Sequence, residues 1–174
     1  MAAGVRHHCA RLQVVKADIR EFEPSDEEPV VELSLRAWEP VFAAVAETLG
    51  PELFVRLRGD WRAGQAREVR GVLADHAQRV WVAEAGGKPI GFVAARLHRD
   101  SGVGEIYMIA VDPGARGQGV GTALTGVATG WLRQSGMLVA MIETGGDPGH
   151  APARRVYEKA GYTALPAVRY FKAL

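Results

Sequence analysis

Apolar residues recur along this chain at two different spacings. Four stretches repeat them every three or four positions, as amphipathic helices do, near residues 28–39, 51–73, 120–132 and 152–160. Seven shorter runs, alternating or continuous and mostly apolar, predict strands at residues 12–22, 80–85, 90–97, 106–111, 137–143, 162–165 and 168–171. The pattern therefore predicts a domain in which helices and strands are mixed.

Particular residues mark where the first helices begin and end. Ser25 and Glu28 have the spacing of a capping box, in which each side chain accepts the other residue's backbone N–H. Proline has no N–H to donate inside a helix, so Pro40 is predicted to break or kink the first helix. A second helix is predicted to begin at Gly50-Pro51, because proline suits the first helical position.

Length, charge and hydropathy then narrow the class of protein. The chain has 174 residues, 48% of them apolar, which predicts a flexible leader at residues 1–10 and a single domain at residues 11–174. A net charge of +1 gives no reason to expect binding to nucleic acid or to an acidic membrane surface. Because no apolar stretch has the length of a membrane span or forms a signal core, a cytoplasmic location is expected.

Cysteine usage excludes two further classes. The only cysteine, Cys9, has no partner for a disulfide. His7 and His8 stand next to it, but three adjacent residues cannot enclose a metal ion alone. We therefore predict no metal site.

The segment from Glu105 to Leu124 predicts the most informative local structure. Its apolar strand ends at Asp112-Pro113-Gly114, since proline cannot donate to a strand ladder and glycine permits a turn. The glycine-rich residues Arg116–Gly121 then lead into a helix. Glycines let an anion approach the backbone, and the first N–H groups of a helix have no intrahelical partner. The segment therefore predicts a phosphate site, with a turn that binds nothing as the alternative.

Two familiar nucleotide loops do not fit this segment. Gly114 and Gly119 have Walker A spacing, but Val120 and Gly121 follow where that loop requires Lys and Ser or Thr. A dinucleotide fingerprint that starts at Gly117 or Gly119 would need a third glycine where Thr122 or Leu124 stands. Nucleoside triphosphates and dinucleotides are therefore not the predicted ligands.

The motif that does fit is Arg-x-x-Gly-x-Gly, formed by Arg116, Gly119 and Gly121 after a strand that ends Val-Asp-Pro. It resembles the acetyl-CoA pyrophosphate loop of the GNAT superfamily of N-acetyltransferases. A second segment, Ala153 to Tyr162, resembles the family's Ala-x-x-x-Tyr-x-x-x-Gly-Phe/Tyr pattern. One departure is His150, which stands where the family often has an Asn.

This resemblance covers nearly the whole chain and implies both a fold and a reaction. The fold is α/β (α+β), with a mixed central sheet of about six to seven strands flanked by about four helices. The reaction is direct transfer of an acetyl group from acetyl-CoA to a primary amine of a small molecule or peptide, with CoA as product. A non-catalytic acyl-CoA-binding or regulatory domain with the same fold is the alternative.

The resemblance also assigns residues to the acetyl donor. Backbone N–H groups would bind the pyrophosphate along Arg116, Gly117, Gln118, Gly119, Val120 and Gly121, and the Arg116 side chain would add charge. The pantetheine arm would follow the strand residues Ile109, Ala110 and Val111, and His150 would hydrogen-bond one of its amides. An N–H near Ile109 or Ala110 would stabilise the negative charge that develops on the carbonyl oxygen.

Two side chains are candidates for proton transfer. Tyr157 matches the family tyrosine that points at the cofactor sulfur, so it is the candidate general acid; the alternative is a core aromatic residue. Glu105 begins a Glu-Ile-x-x-x-Ala segment similar to the histone-acetyltransferase branch of the superfamily. It is the candidate general base, acting through a water, and the alternative is an exposed glutamate without a catalytic role.

The acceptor side is less specified. In the superfamily it is built from the first two helices and the terminal strands, which here offer Trp38, Glu39, Phe42, Trp61, Tyr170 and Phe171. The helical spacing of Trp38 and Trp61 is equally typical of core residues. Terminal strands of the family often pair across a dimer, so the apolar run Val168–Phe171 makes a homodimer a candidate assembly.

Overall fold

A computed structural model describes residues 17–174, and its centre is a five-stranded sheet. The strands lie in sequence order and are β1 (Asp18–Glu21), β2 (Arg79–Ala85), β3 (Lys88–His98), β4 (Val103–Val111) and β5 (Val139–Ile142). The first four pair antiparallel, and β5 pairs parallel to β4. The sheet is therefore mixed, as predicted, and the part of the first predicted strand at residues 12–16 lies outside the described residues.

Four α-helices flank this sheet, as the sequence predicts. They are α1 (Glu27–Arg58), α2 (Trp61–Ala74), α3 (Val120–Gln134) and α4 (Ala151–Lys159). In the part of the chain that the structure describes, no helix is long and apolar enough to cross a bilayer. The fold class predicted from the sequence is confirmed.

The prediction that Pro40 breaks the first helix is wrong, whereas the prediction that a second helix begins at Gly50-Pro51 is confirmed, because two helical segments of α1 meet at Gly50. α1 continues through Pro40, and its helical dihedrals are interrupted only at Gly50, where φ is 75° and ψ is 162°. Phe42 lies after Pro40 and is as buried as Ala37 before it. The helix thus stays packed against the core on both sides of the proline, and this packing outweighs the lost hydrogen bond.

The predicted capping box at Ser25 and Glu28 is also wrong. A short 3-10 turn, Pro24–Asp26, precedes α1, and the Asp26 carboxylate accepts the backbone N–H of Glu23 at 2.9 Å. The Arg20 guanidinium also donates to Asp26, and this hydrogen bond is the main reason that the pKa of this buried carboxyl lies below its ordinary value. Arg20 bonds Glu84 as well, so it ties β1, β2 and the start of α1 together.

Each face of the sheet supports its own hydrophobic core. One core packs beneath α1 and α2 and takes Val80, Val82, Phe92, Ala94, Met108 and Ala110 from the sheet. The other packs beneath α3 and takes Trp81, Ala83, Val93, Ala95 and Ile106. Successive strand residues alternate between the two cores, as side chains on a pleated sheet must.

A bulge in β4 changes this alternation at Tyr107. Met108 pairs with Ala94 and Ile106 pairs with Ala95, so Tyr107 has no partner residue on β3. Consequently Ile106 and Ile109 both face the α3 side, although three positions separate them. The bulge lies where β5 stops: the last β4–β5 pair is Ile106 with Ile142.

The two predicted terminal strands are wrong, and the sheet therefore has five strands rather than six to seven. From Thr163 onward the chain has no regular structure. The apolar side chains of this segment pack on neither core: Leu165 is 94% exposed and Tyr170 is 91% exposed. Alternating apolar residues form a strand only where one face of that strand is buried. Neither core of the described residues buries a face of this terminal segment.

Candidate active site

The turn between β4 and α3 is held in place by α1. The Asp112 carboxylate accepts the N–H of Gly114 at 2.9 Å and forms an ion pair with Arg36 of α1, with Nη2 and Oδ2 2.7 Å apart. Burial alone would raise the pKa of Asp112, but the hydrogen bonds from Arg36 and Gly114 keep it below its ordinary value. The carboxylate therefore stays charged and fixes the start of the turn.

The glycine-rich turn leaves its backbone N–H groups accessible. Gly117 and Gly119 have φ values of 75° and 83°, a left-handed conformation that favours glycine. A Cβ atom at either residue would meet no atom within 4 Å, so open space lies outside the turn. Gly119 is the N-cap of α3 and has no side chain to accept the first helical N–H groups, which makes this end of α3 suited to an anion.

Two polar side chains of the turn are used inside the protein. Arg116 donates through Nη2 to the Ala37 carbonyl of α1 at 3.0 Å. Gln118 donates through Nε2 to the Gly114 carbonyl at 3.1 Å. Arg116 thus ties the turn to α1 in this structure, and its predicted contribution of charge to a pyrophosphate stays a prediction.

Beyond the bulge, β4 has a free edge on the side of β5. The Asp112 N–H donates to Ile90 of β3 at 2.9 Å. Backbone N–H groups of a strand alternate in direction, so those of Ala110 and Met108 also point toward β3. Those of Ile109 and Val111 point the other way, into the gap where β5 has stopped pairing. Of the two predicted oxyanion donors, Ile109 has the suitable direction.

Helix α4 lies next to the start of α3 and the end of β4. A Cβ atom at Gly121 would lie 3.7 Å from Val111 and 3.8 Å from Val156, so the start of α3, the end of β4 and α4 converge there. Tyr157 of α4 is 7% exposed, and the structure records no hydrogen bond for its hydroxyl among residues 17–174. Burial, with a smaller effect of Tyr162, raises the pKa of this phenol well above its ordinary value. The hydroxyl therefore holds its proton throughout the neutral range.

Glu105 is buried, but its carboxylate is already engaged. One oxygen, Oε2, lies 2.7 Å from Arg96 Nε and 2.8 Å from His98 Nε2, both on β3. The Arg96 guanidinium also stacks on the Tyr107 ring at 4.1 Å from its centre. Burial would raise the pKa of Glu105, but the hydrogen bonds from Arg96 and His98 lower it overall.

A second carboxylate–imidazole pair stands in the loop between β5 and α4. Asp147 Oδ2 lies 2.5 Å from His150 Nδ1, and Asp147 Oδ1 accepts the backbone N–H of His150 at 3.2 Å. Arg154 of α4 donates to the Gly145 and Asp147 carbonyls at 2.6 and 2.9 Å. These contacts hold the loop rigidly against the first turn of α4.

The same loop packs directly on α1. A Cβ atom at Gly149 would lie 2.8 Å from the Val41 Cα and 3.1 Å from the Pro40 carbonyl oxygen, so only glycine fits. His150 is therefore placed next to the part of α1 that carries Glu39 and Phe42. This approach brings the loop after β5 to the predicted acceptor side.

The predicted acceptor residues separate into three groups. Phe42 stacks on Trp61 with ring centres 4.4 Å apart, Arg62 lies over the Trp61 ring at 4.6 Å, and Arg62 forms an ion pair with Glu39. Trp38 packs partly buried against the core beneath α1. Tyr170 and Phe171 lie in the terminal segment without regular structure. Glu39, Phe42 and Trp61 are thus brought together.

Sequence reasoning missed three residues that contact the predicted site residues. Arg96 and His98 contact Glu105 because of the register in which β3 pairs with β4. The sequence alone does not predict that register. Asp147 stands three residues before His150, a spacing typical of a helix start, and that signal was available. As for metals, residues 17–174 contain no group of three or more potential ligands, and His7, His8 and Cys9 lie outside the described residues.

The sequence profile of the Acetyltransferase (GNAT) family matches residues 22–162, which include β2 to β5 and all four helices. The chain belongs to the GNAT family. The resemblance stated from the two motifs is therefore confirmed. This GNAT chain spans less than half the length of the curated relatives that it matches.

Three similar proteins illustrate the match. Mycothiol acetyltransferase from Amycolatopsis mediterranei is 32% identical over 161 residues, which are 83% of this chain and 46% of that protein. PaiA N-acetyltransferase from Thermoplasma acidophilum, in complex with coenzyme A, superposes with a TM-score of 0.64 at 17% identity, over 87% of this chain and 92% of that chain. Aminoglycoside N-acetyltransferase AAC(6')-Iy, also with CoA, has a TM-score of 0.63 at 20% identity, over 90% and 94%. These structural likenesses support the fold.

Proposed function

We propose that this GNAT chain transfers an acetyl group from acetyl-CoA to a primary amine of a small molecule or peptide. One observation carries the proposal. The helix start of α3, with open space beside its glycines, lies next to a gap between β4 and β5, and the buried residue Tyr157 lies on α4, which packs against the start of α3. Family membership supports the same conclusion.

The donor would occupy the turn and the free edge of β4. The pyrophosphate would bind at the N–H groups of residues 117–121, where the left-handed glycines leave open space. The pantetheine arm would pair with the outward N–H groups of Ile109 and Val111. His150, at the start of α4, would lie beside this arm. When bound, acetyl-CoA supplies an activated thioester.

The transfer itself would need charge stabilisation and a proton donor. The Ile109 N–H is directed into the gap, so it would bind the carbonyl oxygen as negative charge develops there. Tyr157 would protonate the departing sulfur, because its raised pKa keeps the phenol protonated at neutral pH. Ala110 would contribute backbone rather than an N–H donor, since its N–H points toward β3.

Glu105 is the first candidate for the general base. Its carboxylate is buried on the sheet face that supports α1 and α2, and a water on its second oxygen would connect it to an amine. Arg96 and His98 both stabilise its charged form, however, and this weakens it as a proton acceptor.

The acceptor would bind against α1 and α2. Phe42 and Trp61 form an aromatic wall, and Glu39 at its edge carries the negative charge that an ammonium group would seek. Glu39 is paired with Arg62, so an incoming cation would compete with that guanidinium. Mycothiol acetyltransferase and an aminoglycoside N-acetyltransferase are among the similar proteins, which makes small-molecule amines suitable first probes.

A non-catalytic acyl-CoA-binding domain is the competing function. It would use the same turn and the same β4 edge, so binding alone does not separate the two. Tyr157 favours the enzyme, because its hydroxyl has no recorded hydrogen-bond partner among the described residues and can therefore give its proton to a bound group. Catalytic turnover of acetyl-CoA with an amine distinguishes the enzyme from the non-catalytic binding domain.

A homodimer is a further part of the proposal. Val168 and Tyr170 are exposed apolar residues in the terminal segment, and Val139 and Met141 are exposed on β5, the outermost strand of the sheet. Pairing of this segment with β5 of a second copy would cover both. Light scattering at micromolar concentration is expected to give a dimer mass, and a monomer mass would overturn this assembly.

The donor site is tested by a single change in the turn. Gly119→Asp places a negative charge beside the predicted pyrophosphate, whereas Gly119→Asn has nearly the same shape and the same backbone cost without the charge. Calorimetry with acetyl-CoA is expected to show at least about tenfold weaker binding for the Asp variant than for the Asn variant. Equal affinity of the two folded variants would contradict the assignment.

A further inference from the structure

We propose that His150, held by Asp147, is the base that accepts the proton of the attacking amine. The proposal rests on the acetyltransferase function argued above and assigns a catalytic residue within it. Its starting observation is the 2.5 Å contact between Asp147 Oδ2 and His150 Nδ1 in the loop between β5 and α4.

This contact fixes which nitrogen of the ring can accept a proton. Asp147 is an ionised acceptor: burial opposes its charge, but the hydrogen bonds and charge of His150 hold its pKa below the ordinary value. Nδ1 must therefore donate, and it carries the ring hydrogen. Nε2 is left with its lone pair, and the structure records no bond to it among residues 17–174. A carboxylate behind an imidazole in this way stabilises the imidazolium that forms on proton uptake.

His150 lies between the proposed acceptor side on α1 and the helix that carries Tyr157. His150 is the residue before α4, and Tyr157 stands seven residues later, close to two full turns of 3.6 residues, so both lie on the same side of α4. Gly149 beside it touches Val41 of α1, between Glu39 and Phe42 of the proposed acceptor wall. His150 therefore lies where the acceptor side meets the helix that carries the proposed acid.

Among residues 17–174, Asp147 is the one charged side chain recorded in contact with the His150 ring. On its own loop Asp147 is the ionised partner, and Arg154 of α4 donates to backbone carbonyls rather than to the ring or the Asp147 carboxylate. On α1, Glu39 is paired with Arg62 and Arg36 with Asp112. An imidazole changes charge between about pH 5 and 8, the range in which an acetyltransferase would have to take up a proton.

The proton balance uses two residues of this chain. The amine nitrogen forms the C–N bond with the acetyl carbonyl carbon, and the C–S bond breaks with its electron pair on sulfur. The amine proton moves to His150 Nε2, and the Tyr157 hydroxyl gives its proton to sulfur. A proton then passes from the imidazolium to the phenolate through water, and both side chains return to their starting states.

Two substitutions separate proton uptake from binding. His150→Gln removes the titrating group, and His150→Asn supplies the amide that the family often carries here. Both are expected to keep acetyl-CoA affinity within about threefold by calorimetry, because in this proposal Nε2 takes the amine proton and does not bind the pantetheine arm. Both are expected to lower kcat by about 10²-fold near neutral pH. His76→Gln, on the exposed turn after α2, is the matched control and keeps wild-type values.

The pH dependence of kcat/KM separates a base from a residue with only a structural role. Substituting a purely structural residue would leave the shape of this profile unchanged. In the wild type, kcat/KM is expected to fall on the acidic side as His150 becomes protonated. The His150 variants lose that limb, and their rate rises toward high pH as free amine accumulates. Asp147→Asn, which tests a positioning residue, shifts the limb to lower pH because the imidazolium loses its counter-charge.

Three outcomes decide the matter. A His150→Asn variant that keeps the wild-type limb overturns this base and leaves the acetyltransferase function standing. Loss of acetyl-CoA affinity with unchanged kcat would instead assign His150 to cofactor binding and also overturns it. A wild-type protein that acetylates no amine overturns the function itself, so the two failures are distinguishable.

Discussion

The two carboxylate–imidazole pairs of this molecule contain the same groups in different settings. Glu105 shares one oxygen between His98 and Arg96, and the His98 side chain is the more exposed member, at 41% against 11% for Glu105. Asp147 bonds a single side chain, His150, and the two are similarly buried, at 16% and 24%. One pair lies on neighbouring strands, and the other lies in a loop that touches both α1 and α4.

The difference shows how neighbours decide which group can take a proton. Two donors, one of them a guanidinium, hold Glu105 as an anion and lower its pKa, so proton uptake there is unfavourable near neutral pH. Among residues 17–174, Asp147 has no guanidinium partner, and its carboxylate bonds the His150 ring. This difference is the reason that His150, rather than Glu105, is the proposed base.

The largest expected effect concerns the acid rather than either pair. Tyr157→Phe removes only a hydroxyl, and kcat is expected to fall by about 10²-fold, the low end for general acid catalysis, since a thiolate is a good leaving group. The acidic limb of the pH profile stays, because the base is intact. Steady-state kinetics and acetyl-CoA calorimetry test this together. A variant with wild-type kcat would remove the phenol from the reaction.

A change at Arg96 tests the Glu105 pair directly. Arg96→Met takes away the guanidinium, so the pKa of Glu105 is expected to rise. The free energy of unfolding is expected to fall by about 1 kcal/mol or less, since this side chain is one-third exposed and solvent screens the pair. The acidic limb of kcat/KM should not move when His150 is the base. An acidic limb of kcat/KM that moves to higher pH in Arg96→Met would assign the base to Glu105. Arg133→Met, at the exposed end of α3, is the matched control.

The smallest effect is on stability against acid. Glu105 has a folded pKa below its ordinary value of 4.5, so its charge stabilises the fold above that pH and this contribution is lost as the pH falls through the folded value. Glu105→Gln should therefore be less stable than wild type at pH 7, by about 1 kcal/mol or less, and should approach it near pH 3. Urea unfolding at both pH values measures this. A gap that widens toward pH 3 would contradict the sign.

Interactions between residues close in sequence explain why the glycine-rich turn between β4 and α3 could be predicted from the sequence. The Gly114 N–H donates to the carboxylate of Asp112, only two residues earlier. Gly117 and Gly119 adopt left-handed dihedrals, which glycine allows independently of distant packing. The helix that follows is amphipathic on its own. Such features depend on neighbours in the chain, so the predicted turn and helix are present in the structure, while phosphate binding there stays a prediction.

The errors lie where distant packing decides. Pro40 remains inside α1 because residues on both sides of it are buried, and no local signal contains that information. Val168 and Tyr170 alternate like a strand, but no core covers them. The partners of Glu105 depend on the register of β3 with β4 and on the bulge at Tyr107. Where a contact joins elements that are far apart in sequence, the residue types indicate which interactions are possible. They do not indicate which residues contact each other.

The central claim is acetyl transfer at the gap between β4 and β5, and release of free thiol from acetyl-CoA tests it most directly. The assay uses the wild-type chain with a panel of peptides, polyamines and aminoglycosides, and Tyr157→Phe as the matched control. We predict thiol release that requires an amine and is at least about tenfold slower in the control. Tight binding of acetyl-CoA with no thiol released for any amine would contradict the claim and favour the non-catalytic domain.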